Sequence, residues 1–94
     1  MRGLPSIEAL ESVHTFPGPY TFKVFGPGES DVMDATRDVA LSFVDESGLL
    51  GLKARESSRG TYVCVSVTVE CGSAEVVRQI YRSLVRLESV RYLL

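Results

Sequence analysis

Within the stretch Arg59 to Cys71, side chains alternate from Tyr62 onward, with Val63, Val65, Val67 and Val69 on one set of positions and the polar or small Tyr62, Cys64, Ser66, Thr68 and Glu70 on the other. A strand turns successive side chains to opposite faces, so the valines make one apolar face. The pattern predicts a central strand of a sheet covered on one side only. A period of two recurs over Tyr20 to Phe25, which predicts Tyr20, Phe22 and Val24 facing in and Thr21, Lys23 and Phe25 facing out. It recurs again over Leu50 to Arg55, with Leu50, Leu52 and Ala54 inward and Gly51, Lys53 and Arg55 outward. The lysine and arginine there suit an edge strand. Ser57-Ser58-Arg59-Gly60 reads as a hairpin turn into the valine strand, Gly60 supplying a positive φ.

Two stretches carry a helical period instead. Behind Ser30, which is placed to cap, the apolar stripe is Val32, Met33, Ala35 or Thr36, Val39, Ala40 and Phe43, and Gly48 is expected to close that helix in a left-handed cap. Behind Ser73 the stripe is Val76 or Val77, Ile80, Leu84 and Leu87. A short surface helix over Ser6 to Val13, with Ile7, Leu10 and Val13, precedes the proline- and glycine-rich Phe16-Pro17-Gly18-Pro19, where helix cannot continue. Ser89 to Leu94 is left as a final strand, Val90 to Leu94 forming a sheet edge.

The resulting order is strand, helix, strand, strand, helix, strand. Right-handed crossovers around a central hairpin convert it into a ferredoxin-like βαββαβ sandwich of the α+β class, an antiparallel sheet in the order 4-1-3-2 with both helices on one face. Residues 1–18 form an N-terminal segment and 19–94 the sandwich domain.

Charge sharpens this picture. The chain has 94 residues and a net charge of −2, but residues 1–50 carry three basic and eight acidic side chains, whereas 51–94 carry seven basic and four acidic. Two packed elements of opposite charge account for the split, and a surface for nucleic acid or an acidic partner is the functional alternative. Glu8 and Glu11 interrupt any signal-peptide core, and no apolar run reaches membrane-spanning length, so a cytoplasmic protein without membrane contact is expected. Cys64 and Cys71 would lie roughly 23 Å apart on one strand and on opposite faces, too far to pair.

No set of residues for catalysis emerges. His14, the single histidine, is remote in sequence from both cysteines, which leaves neither a nucleophile and base pair nor a converging metal set. Neither a metal nor another cofactor is expected. Gly26-Pro27-Gly28 before a helix suggests a phosphate loop, but Glu29, Asp31 and Asp34 would repel an anion there and no P-loop lysine follows. Arg59-Gly60 matches the opening of the RNA-recognition signature on a third strand, yet the stacking positions hold Thr61 and Val63. Arg78, Arg82 and Arg86 line one face of the second long helix and would pair with aspartates of the first or stay solvated, an acidic protein or nucleic-acid partner being the functional alternative.

Three segments in order, F-P-G-P-Y-T-F-K-V at 16–24, S-S-R-G-T-Y-V-C-V-S-V-T at 57–68 and S-V-R-Y-L-L at 89–94, carry a family likeness. With them the chain resembles the YbeD-like family of small bacterial proteins across about residues 10 to 94. The resemblance implies a ferredoxin-like fold with an architecture similar to ACT-type regulatory domains. It implies no activity and transfers no catalytic residue.

The function expected is therefore a regulatory or adaptor module that binds a protein or small-molecule partner and is not an enzyme, acidic or anionic partners being favoured over nucleic acid. A nucleic-acid-binding module is the alternative. The candidate partner surface is the open sheet face, with Lys23, Phe25, Lys53, Arg55, Tyr62, Ser66 and Arg91, Cys64 and Thr68 lying among them. The stripe Arg78, Arg82 and Arg86 is the second candidate. A monomer or weak dimer is expected, since Arg91 and the chain end shorten the pairing edge.

Overall fold

The computed structural model describes residues 4–94, so residues 1–3 of the expected N-terminal segment lie outside the described residues. In chain order the elements are helix α1 (Ile7–Val13), strand β1 (Gly18–Pro27), helix α2 (Val32–Phe43), a 3-10 turn (Glu46–Gly48), strands β2 (Leu49–Glu56) and β3 (Tyr62–Cys71), helix α3 (Ala74–Val85) and strand β4 (Tyr92–Leu93). One antiparallel sheet has the order β2-β3-β1-β4, which is the ferredoxin-like arrangement. Its centre is the long pairing of β1 with β3, from Gly18 opposite Cys71 to Pro27 opposite Tyr62.

Alternation in β3 is complete: Val63, Val65, Val67 and Val69 are buried while the residues between them are half-buried or exposed. From β1, Phe22 and Val24 join them, from α2 Val32, Thr36 and Ala40, and from α3 Ala74, Val77, Ile80, Tyr81 and Leu84. Both long helices thus cover one sheet face. Burying each such Val, Leu, Ile or Phe side chain is worth about 1.5–3 kcal/mol, so the sheet and helices stabilise each other through this single core. Leu10 is buried as well, which ties α1 to the domain, and Val13 on the same short helix stays exposed.

Several local expectations require correction. Leu50 does not face the core but is half exposed, because a bulge between Leu49 and Gly51 puts Leu49 opposite Val69 and shifts the alternation by one position. Gly48 makes no left-handed cap: α2 ends in extended backbone at Val44, and Asp45 then caps the 3-10 turn by accepting from the Gly48 amide at 3.1 Å. The hydroxyl of Ser47 also donates to Asp45 at 2.6 Å, and these bonds, that of Ser47 foremost, hold the Asp45 carboxyl below its ordinary pKa. At the start of α2 the N-cap position is Asp31 rather than Ser30, although the Ser30 hydroxyl accepts from the Val32 amide at 3.4 Å and donates to the Pro27 carbonyl at 2.6 Å. Leu87 lies beyond the end of α3 yet still packs against the core. Ser73 caps α3 as its position predicts, accepting from the Val76 amide, and Gly60 has φ +68° in the hairpin turn.

Candidate binding face

The face opposite the helices carries the outward residues of all four strands, and the strand register sorts them into rows. Gly51, Thr68 and Thr21 form the first row, with the two threonine hydroxyls 2.8 Å apart. Lys53, Ser66 and Lys23 form the second, where the Lys23 ammonium donates to the Ser66 hydroxyl at 3.4 Å. Arg55, Cys64, Phe25 and Tyr92 form the third. Tyr62, opposite Pro27, closes the end. Rows are spaced by two residues, roughly 6.6–6.8 Å, so the face grades from hydroxyl through cationic to aromatic over about 20 Å.

The aromatic end is a groove of about 480 Å³ lined by Phe25, Gly26, Pro27, Thr61, Tyr62, Arg91 and Tyr92. Phe25 meets Tyr92 edge to face, with centroids 5.3 Å apart and planes at 75°, and lies 6.4 Å from Tyr62 at 57°. Tyr62 and Tyr92 nevertheless remain about half exposed, at 49% and 53%. Beside this groove, and sharing Phe25 with it, a hollow of about 540 Å³ is lined by Lys23, Lys53, Ala54, Arg55, Cys64 and Ser66. Among the described residues, none lining either hollow is acidic.

One position differs from the expectation. Tyr92, not Arg91, pairs with Phe25 and holds the place on the sheet face. Arg91 stands just before β4, where its amide donates to the Phe25 carbonyl at 2.8 Å and its guanidinium donates to the Glu88 carbonyl at 3.2 Å, and it borders the groove from the rim. Two residues of strand show no period, so the alternation of β4 had to be set by pairing. A signal was present in Gly26, since a glycine within a strand marks close approach by other atoms. A Cβ there would strike the Ser89 carbonyl and the Val32 side chain. The missing Cβ is what lets the segment before β4 close against β1 and deliver Tyr92.

The remaining candidates do not come together. Arg78 donates through Nε to the Pro5 carbonyl at 3.0 Å, joining α3 to the N-terminal segment, while Arg82 and Arg86 are exposed. His14 packs against the ring of Tyr20 at 4.8 Å, whereas Cys64 sits opposite Phe25, about 17 Å further along β1. Cys71 is buried on the core side of β3. Among the described residues no three His, Cys, Asp or Glu side chains are grouped to hold a metal ion, and no helix is long and apolar enough to cross a membrane.

Comparison with known proteins gives a consistent picture. A family model described as "Protein of unknown function (DUF493)" matches residues 11–94. The chain is similar to a UPF0250 protein of Idiomarina loihiensis, 34% identical over 79 residues and covering 84% of this chain and 88% of that one. It is similar to a UPF0250 protein of Haemophilus ducreyi, 29% identical over 94 residues and covering 100% and 94%. It is also similar to the UPF0250 protein YbeD of Escherichia coli O1:K1 / APEC, 29% identical over 85 residues and covering 90% and 95%. The solution structure of protein HP0495 from H. pylori shares the fold with a TM-score of 0.67 at 11% identity, covering 99% of this chain and 98% of that one.

Proposed function

The chain belongs to the DUF493 family of small bacterial proteins, the family of YbeD, and from that premise we propose that it is a regulatory or adaptor module that works by binding, without catalysis of its own. The observation that carries this reading is the cluster of Phe25, Tyr62 and Tyr92 on the sheet face the helices leave uncovered, with cations beside it. Half-exposed aromatic side chains around a concave groove are the usual anchors of a binding surface, offering large contact area at small entropic cost. A merely solvated face has no need of them. The absence of catalysis is supported by the scatter of the chemically reactive groups, with His14, Cys64 and Cys71 in separate surroundings.

The test is affinity purification from the native host with the wild-type chain and with a variant carrying Lys23→Ala, Arg55→Ala and Tyr62→Ala, each followed by mass spectrometry. All three side chains are exposed, so circular dichroism and thermal unfolding should match between the two proteins. A partner held by the wild type and lost at least tenfold by the variant is the expected result. Equal retention would remove the face from consideration, and substrate turnover by the purified protein would replace the binding reading with an enzymatic one.

A further inference from the structure

The basic hollow and the aromatic groove adjoin at Phe25, and we infer that together they form a trough that binds an extended acidic peptide segment of a partner protein, with carboxylates between the basic walls and one apolar side chain in the aromatic end. This rests on the binding role proposed above and narrows the class of partner.

The trough has a floor of short side chains, Ser66 and Cys64, between longer ones on the two flanking strands. Lys53 and Lys23 stand on either side of Ser66 in the register, and Arg55 faces Phe25 across Cys64. The walls are two strand spacings apart, about 9.5 Å, which is room for a single extended chain. The Lys23 ammonium leans over the floor through its 3.4 Å bond to Ser66. With a net charge of −2 on the whole chain and no carboxylate among the described residues lining the trough, charge is segregated locally, and an anionic occupant is the complementary one.

Geometry then selects the kind of anion. Alternate side chains of an extended peptide are about 6.6–6.8 Å apart, the same spacing as the rows of this face. Carboxylates at alternate positions therefore meet the lysine row and Arg55 in turn, forming charge-assisted hydrogen bonds, and the next side chain in that series reaches Tyr62 in the aromatic groove. The motif read off the face is acid, any residue, acid, any residue, apolar, in either chain direction. The aromatic rings turn edges and faces toward one another at 75° and 57°, so they frame a place for one side chain. A single-stranded nucleic acid would need open faces for successive bases, and the trough supplies no such series.

The experiment is selection of a random octapeptide display library on the full chain, followed by fluorescence polarisation with the best peptide. Expected are selected peptides enriched in Asp and Glu at a spacing of two beside an apolar residue, at least tenfold weaker binding by the variant with Lys53→Glu and Arg55→Glu, and affinity that falls as salt rises. Peptides without acidic enrichment, failure to select any, affinity indifferent to that charge reversal, or tighter binding of a single-stranded oligouridylate would each overturn the proposal. Should a host partner depend on Lys23, Arg55 and Tyr62 while the library yields no acidic peptide, the binding face stands and the acidic peptide falls.

Discussion

Cys64 and Cys71 share a strand and differ in everything that governs thiol chemistry. Cys64 is half-buried on the uncovered face, and Cys71 is fully buried in the core, where burial, and after it the charge of Glu70, pushes its thiol up to about 11. An aromatic disulfide reagent at neutral pH is expected to titrate one thiol in the native protein and the second only after unfolding, and Cys64→Ser should abolish the native reaction. Two thiols reacting at equal rates would contradict the assignment of faces. The same shift has a consequence for stability, because a thiol whose pKa rises from 9.0 in the unfolded chain to about 11 in the fold favours the folded state while it stays protonated. That contribution is full below about pH 9 and is lost as pH climbs through 11, so the urea midpoint should fall across this window, less steeply in a Cys71→Ala variant. Tyr81 is buried too, and burial together with its 2.9 Å hydrogen bond to the Tyr20 hydroxyl raises its pKa in the same sense. Tyr81→Phe removes that bond and should cost about 1 kcal/mol in urea unfolding; unchanged stability would mean that water replaces the partner at no cost.

At the scale of elements, what the sequence made legible depended on length. Ten residues of β3 gave enough alternation to assign both faces and identify the central strand. Eight residues of β2 show the outward places of Lys53 and Arg55 but not the bulge, because a bulge adds a residue without changing the composition around it, and an unbroken period of two carries Leu50 inward with Leu52. In β4 the period disappears altogether, and with it went Tyr92, a member of the aromatic cluster. Gly26 is the link between β1 and β4, so Gly26→Ala should act on the site as well as on stability. The added methyl strikes the Ser89 carbonyl, backbone that must shift, and crowds the Val32 side chain. The expected outcome is loss of the cross-strand contacts between Phe25 and Tyr92 in proton NMR, with β1 still paired to β3. Retention of those contacts would contradict this role for Gly26, showing that the Ser89 segment shifts without moving Tyr92.

Across the whole molecule, the fold followed from period and element order, since two helices with apolar stripes and a one-sided sheet have one economical way to bury both. Function left a fainter trace. Lys23, Phe25, Lys53, Arg55 and Tyr62 were identifiable as outward residues of separate strands, but whether they converge depends on register, which the sequence does not write down. The helix stripe illustrates the converse, as Arg78, Arg82 and Arg86 share a face by spacing alone while the fold ties Arg78 to Pro5. Recognition takes place, on this proposal, on the uncovered sheet face rather than on α3. The most direct measurement is amide chemical-shift mapping of the ¹⁵N-labelled chain on addition of a purified partner from the host. Shifts are expected to concentrate at Lys23–Phe25, Lys53, Arg55, Tyr62–Ser66 and Tyr92, with Arg82 and Arg86 unmoved; shifts centred on Arg82 and Arg86 with the sheet face silent would rule the sheet face out.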